Sequence, residues 1–165
     1  MRRLIWPVLF LFLFILQGAV SVFYTGWLSL DLLLVGVYAH ALHRGPEFGA
    51  LSGLGAGFLQ DAMLPGVFGY HMLTRTLSGF CFGHLKGKIF KENFIYHVPT
   101  IGLLSLALRF LYFGIALVIG VPITSLLTYL KESLGFACGN MLIVIPMVLL
   151  VSFICEWIKK EDISY

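Results

Sequence analysis

The sequence predicts an all-α integral membrane protein: one compact domain over residues 1–165, built as a six-helix transmembrane bundle with both chain ends on the cytoplasmic side. Three observations predict it. The chain is 59% hydrophobic and 12% charged, with a mean hydropathy of +0.96, which no water-soluble domain of this length could cover with polar surface. Glycine, proline and charged residues divide it into six apolar stretches, about 4–23, 28–43, 46–64, 67–85, 95–120 and 134–155. Lysine and arginine gather in alternate connections, as the positive-inside rule requires of a multi-pass chain.

The first stretch, "MRRLIWPVLFLFLFILQGAVSVF", opens on two arginines and stays apolar for about twenty residues, enough to cross a hydrocarbon core. No small-residue cleavage pair follows and the rest of the chain is equally apolar, so this is a retained helix rather than a signal peptide. The second stretch is short and the fifth long, which implies tilt or an interfacial end for each. Between the last two, apolar residues at 123, 126, 127 and 130 predict a short amphipathic helix lying on the outer surface.

With the N-terminus inside, Arg2, Arg3, Arg44, Lys86, Lys88, Lys91, Lys159 and Lys160 are cytoplasmic, and Lys131 alone lies in an outer connection. The small net charge of +3 and the dispersal of the basic residues over short loops argue against a nucleic-acid partner.

The third stretch, "RGPEFGALSGLGAGFLQD", places Gly45, Gly49, Gly53 and Gly57 four residues apart, a slowly drifting stripe along one helix face that Ala50 and Ala56 widen. Small residues let helix backbones approach in lipid, where no hydrophobic force joins them. The fourth stretch repeats the device with Gly79, Gly83 and Gly87, so stretches three and four should pack together, the alternative being a surface for another protein's helix.

A charge at the bilayer centre costs roughly 2.5–3.5 kcal/mol on insertion scales, so Arg75 and Arg109 should face inward. Two carboxylates, Asp61 and Asp31, share the depth of Arg75, and the polar Gln60 precedes Asp61. For Arg109 the candidates are a carbonyl near Gly102 or Gly114, the His71 ring, or a carboxylate from another subunit. Asp31, Gln60, Asp61, Arg75 and Arg109 are therefore the candidate polar or partner-contact residues.

His40, His43, His71, His84 and His97 lie mostly near span ends, without carboxylate or cysteine at ligand spacing, and read as interfacial residues rather than metal ligands. Cys81, Cys138 and Cys155 fall in apolar runs and read as small core residues. No nucleophile with an arranged base and no phosphate-binding loop is present, so the chain reads as a non-enzyme without cofactor or metal.

Over residues 28–88, an Asp opens an apolar helix, an Arg-Gly turn follows, and a glycine-ladder helix ends in Gln-Asp. A Pro-Gly hairpin, a Phe-Gly pair and a Gly-rich helix with a basic exit complete the string. This ordered string resembles the bacterial rod shape-determining protein MreD family, with Asp31, Gly53, Gly57, Gln60, Asp61, Gly66 and Gly69 at the matching places. Leu30, where the family often has proline, and Arg75, where many members carry a small or apolar residue, depart from it.

The resemblance implies a multi-pass subunit of the cytoplasmic membrane that packs with the bitopic partner MreC. It also implies a wider elongation complex with the MreB filament, a RodA-type transglycosylase and a class B penicillin-binding transpeptidase, scaffolding lateral peptidoglycan synthesis. A homodimer or an MreC–MreD hetero-oligomer is open. The family is similar in fold to the six-helix substrate-capture subunits of energy-coupling-factor vitamin transporters. That likeness supplies the rival function, a capture subunit with Arg75, Asp61 and Asp31 around an outward cavity and Tyr24, Trp27 and Tyr70 as aromatic candidates.

Overall fold

A computed structural model describes residues 4–23, 28–63, 68–87, 94–120 and 125–163, which form six α-helices and no strand. They are α1 (Ile5–Phe23), α2 (Leu32–Arg44), α3 (Pro46–Met63), α4 (Tyr70–Gly83), α5 (His97–Ile119) and α6 (Leu126–Ile163), with a 3-10 turn at Phe94–Tyr96 ahead of α5. Tyr24, Trp27, Gly66, Arg2, Arg3, Lys88 and Lys91 lie outside the described residues.

α2 is the centre. Every residue from Leu32 to Leu42 is buried, and α1, α3, α4 and α6 all pack on it. A helix apolar all round has to be enclosed; its 13 residues span about 20 Å at 1.5 Å per residue. Its start is fixed by Asp31, whose Oδ1 accepts from the Leu34 N–H at 2.9 Å. Its end is fixed by Gly45 at φ +99, a backbone conformation that costs glycine nothing, and Pro46 then opens α3 with no amide to lose.

α3 and α4 form the tightest pair. A Cβ on Gly53 would lie 2.6 Å from the Arg75 carbonyl carbon and 2.9 Å from the Thr76 nitrogen, and one on Gly57 would lie 2.6 Å from the Met72 nitrogen. A Cβ on Gly49 would strike the Gly79 backbone, one on Gly79 the Gly49 backbone, and one on Gly83 the start of α3 at Pro46. Two of the predicted rungs differ. Gly45 ends α2, and only the Lys86 side chain, 3.5 Å away, would meet its Cβ. Gly87 follows the helix at φ +76 with nothing near it. Both keep the four-residue spacing, but each has left the helical conformation that gives the spacing its meaning.

α6 corrects the predicted surface helix. The chain from Leu126 runs without interruption to Ile163, through Pro146, so the second half of the expected outer amphipathic segment is the first part of α6 and packs on α5. Ser125 caps it, accepting from the Thr128 N–H at 3.3 Å. At about 57 Å, α6 is far longer than a hydrocarbon core of roughly 30 Å.

The outer faces are apolar. Val8, Phe12, Leu51, Phe58, Leu103, Phe110, Leu142 and Phe153 are all exposed, and α5 and the Leu126–Lys159 part of α6 are long and apolar enough to cross a membrane. Cys81 and Cys138 are exposed on these faces and Cys155 is half-buried, against the expectation that they are core residues. In a chain whose outward faces are as apolar as its inward ones, apolar neighbours do not mark the inside.

Candidate functional site

The interior between the starts of α2 and α4 and the ends of α1 and α3 is polar. Arg75, 2% exposed, donates through Nη2 to both oxygens of Asp31, at 2.8 and 2.7 Å, and to Oε1 of Gln60. The Asp31 amide donates to Oδ1 of Asn140 at 2.8 Å, and Asn140 Nδ2 donates to the Ser105 hydroxyl at 2.9 Å, so α2, α3, α4, α5 and α6 meet in one network. Gln17 of α1 joins from the other side, accepting from the Leu33 N–H at 3.2 Å. A buried charge pair of this kind resists the loss of either member, because the survivor stays desolvated and alone.

Asp61 does something else. Its oxygens accept from the backbone N–H groups of Gly69, His71 and Met72, at 3.0, 3.1 and 2.9 Å, and His71 Nδ1 lies 3.3 Å from Oδ1. These are the amides left without partners at the start of α4, and Gly69 has no side chain to cap them. Of the two carboxylates at the depth of Arg75, then, Asp31 pairs with it and Asp61 caps a helix.

Arg109 lies apart from that pair in its contacts. It donates to Oε2 of Glu132 at 3.2 Å and to the Ser133 hydroxyl at 3.3 Å, and it stacks over the Tyr129 ring at 4.7 Å. All three partners are in the first turns of α6. None was among the sequence candidates, since residues 121–133 were expected to lie flat on the surface.

Several of these groups border a cavity of about 300 Å³ whose lining includes Tyr70, Thr74 and Arg75 of α4 and Leu108, Arg109 and Tyr112 of α5. Tyr70 spans the gap, donating to the Leu108 carbonyl at 3.1 Å with its ring 5.0 Å from Tyr112. Asp31, Gln60, Arg75 and Arg109 all line the cavity, so four of the five polar candidates meet there. Gln17, Thr74, Tyr112 and Asn140 were missed. Gln17 and Asn140 were legible as lone amides inside apolar runs, a weaker form of the signal that singled out the arginines.

A second, apolar cavity of about 840 Å³ opens between α1, α3 and the end of α6, lined by Trp6, Phe10, Leu51, Phe58 and Ile158 with Arg44 at one end. His40 is buried in its wall, 4.1 Å from the Trp6 ring centroid, and His97 is buried against the Tyr38 hydroxyl at 2.9 Å. These two histidines belong to the interior, not to an interface. His43 bonds Ser152 of α6 at 2.7 Å, and among the described residues no cluster of metal-ligating side chains occurs.

A family model described as rod shape-determining protein MreD matches residues 1–158. No curated protein and no solved structure matches the chain.

Proposed function

Because the chain belongs to the rod shape-determining protein MreD family, we propose that it is a non-enzymatic subunit of the cell-shape machinery of a bacterium, embedded in the cytoplasmic membrane and working through MreC. The family match over residues 1–158 carries this reading. In it, all six helices cross the bilayer with both chain ends cytoplasmic, in the manner of the capture subunits of energy-coupling-factor transporters. Supporting that orientation, Lys86 reaches the Arg44 carbonyl at 3.2 Å, so two basic residues from different connections meet at one end of the molecule.

The glycine-packed α3–α4 pair serves as a rigid support, and the apolar groove beside α1 and α3 receives the transmembrane helix of MreC. Leu11, Phe48, Leu51 and Phe58, exposed along that groove, supply the apolar contact a single membrane helix needs. Through MreC the subunit joins the MreB filament, the RodA-type transglycosylase and its class B transpeptidase. Its basic cytoplasmic residues lie against anionic lipid.

The test is depletion in a rod-shaped host together with site-directed cross-linking. Depletion should round the cells, and Leu51→Cys should cross-link to cysteines placed along the MreC membrane helix. Preserved rod shape after clean depletion removes the function; cross-links confined to the opposite face of the bundle remove the groove.

A further inference from the structure

α5 presents two faces. Ile101, Ser105 and Ala116 are buried against the bundle, and Arg109 ties the helix to α6 through Ser133 and Glu132. About half a turn round, Leu103, Ala107, Phe110, Gly114 and Leu117 form a second stripe, all of them exposed, at steps of four, three, four and three residues. Steps of four and three make the seam of a left-handed helix pair. Large side chains alternate with small ones along it, and a Cβ on Gly114 would meet nothing within 4 Å. Leu111 and Val118 widen the stripe, Val118 being 88% exposed.

Lipid alone would cover this stripe if all of it lay in the hydrocarbon core, but the helix lengths carry its end outside. α2 and α6 run in register: the Asp31 amide meets Asn140 and, twelve residues on in both helices, His43 meets Ser152. Arg44 marks a membrane boundary in the proposed arrangement, on which this step rests, and Asp31 lies thirteen residues, about 20 Å, from it. A core of roughly 30 Å therefore leaves about 10 Å beyond Asp31. Asp31, Asn140 and Ser105 share one level through their hydrogen bonds, and Ile119 and Leu126 each lie fourteen residues beyond that level, about 21 Å. The last 10 Å or so of the α5–α6 pair thus stands outside the hydrocarbon, with Leu117, Val118, Leu126 and Leu127 exposed on it.

Contiguous apolar surface outside the hydrocarbon marks a protein contact. At roughly 150–250 Å² for a large side chain, the exposed parts of Leu103, Phe110, Leu111, Leu117 and Val118, with Ala107 and Gly114 between them, present on the order of 700 Å². A standard interface takes about 800 Å² from each partner. A second copy of this chain fits that surface: both copies hold one orientation in the bilayer, so their stripes run parallel at the same height and the apolar outer end of each meets that of the other. Opposed small residues at Ala107 and Gly114 let the two helices close. We infer that the protein forms a parallel two-fold dimer through the outward stripe of α5, from Leu103 inside the hydrocarbon to Val118 beyond it. No α5 residue lines the apolar groove, so each copy keeps its groove free and MreC capture is a separate event.

The test uses the full-length protein with Cys81, Cys138 and Cys155 replaced by alanine. In liposomes, Ala107→Cys and Gly114→Cys should each cross-link to a dimer with a short bis-maleimide, while Leu51→Cys in the groove should not. Gly114→Leu, whose side chain enters open space in a single copy, should weaken dimerisation, counted by single-molecule photobleaching, by about tenfold or more at unchanged helical content. Phe110→Ala adds no bulk and should weaken it too, which decides the matter if the leucine variant misfolds. In nanodiscs holding one copy, Val118→Cys should react with a water-soluble maleimide, and in nanodiscs holding two it should be protected. Single copies at every density, dimers that both variants leave at wild-type strength, or a Val118→Cys that lipid shields in one-copy nanodiscs overturns the inference. Cross-linking of Gly114→Cys in cells only to a protein of another mass overturns it in favour of a different partner. Cell shape after depletion reads the proposed function independently of all these outcomes.

Discussion

Gly53 and Gly55 stand two positions apart on α3, and the same substitution should move stability in opposite directions at the two. A Cβ at Gly53 would sit 2.6 Å from the Arg75 carbonyl carbon and 2.9 Å from the Thr76 nitrogen, whereas at Gly55 it would meet nothing within 4 Å. Carbon atoms prefer about 3.5 Å or more, so Gly53→Ala pushes the α4 backbone away by roughly 1 Å and forfeits a quarter to a half of the dispersion energy along the contact. Backbone cannot swing aside as a side chain can. Overpacking costs about 1–3 kcal/mol, here about 3 because the obstacle is backbone, and the helix preference of alanine returns about 1. The net loss is about 2 kcal/mol at Gly53, against a gain of about 0.5–1 at Gly55. For a chain of this size that lowers the midpoint of the Gly53→Ala protein by about 4–8 °C and raises that of Gly55→Ala by about 2 °C. Thermal unfolding of the two variants in one detergent is the assay. Equal shifts, or a Gly53→Ala protein as stable as the parent, would refute the claim that backbone contact sets the α3–α4 distance.

Three further outcomes follow from the polar interior. A double-mutant cycle between Asp31→Asn and Arg75→Gln should give a coupling of about 1 kcal/mol or more, while Asp61→Asn and Arg75→Gln should add independently; unfolding midpoints measure both. Asp61→Ala strips three amides at the start of α4 of their acceptor and should cost about 1–3 kcal/mol, with faster hydrogen exchange confined to the first turn of that helix. Glu132→Gln should change stability by no more than about 1 kcal/mol, because the Arg109–Glu132 pair is partly in solvent and Arg109 keeps its hydrogen bond to Ser133 and its stacking on Tyr129.

The parts of this molecule that were legible in its sequence are those where chemistry allows one answer. Four-residue glycine spacing requires a close partner, and Gly49, Gly53, Gly57, Gly79 and Gly83 have one. Arg75 in an apolar run requires a carboxylate, and one of the two within reach supplies it. What was not legible depends on long-range arrangement. Whether residues 121–133 lie on a surface or extend α6 depends on whether α5 offers a face to pack against, and it does, through Arg109 and its contacts with Tyr129, Glu132 and Ser133. The cysteines and His40 were misplaced because, in a chain apolar on every face, hydropathy no longer separates inside from outside. Polarity does so instead: Gln17, Asn140, Ser105 and Thr74 all turn inward.

The two roles of the polar pair in "GFLQD" follow from the ladder itself. Asp61 lies four residues beyond Gly57, so it continues the spacing of Gly49, Gly53 and Gly57 and faces α4 as they do. At Gly49 and Gly53 the opposing α4 backbone is internally bonded, and there, as at Gly57 against Met72, close approach demands the absence of a side chain. One step further on, α4 begins, its first amides have no partners, and the same close approach brings them within reach of the shortest carboxylate side chain. Gln60, rotated by about 100° around the helix axis, leaves that face, turns toward α2 and meets Arg75 beside Asp31. The helix contact that closes the α3–α4 pair therefore also orients the polar cluster, and the cavity beside it inherits its geometry from the glycine spacing.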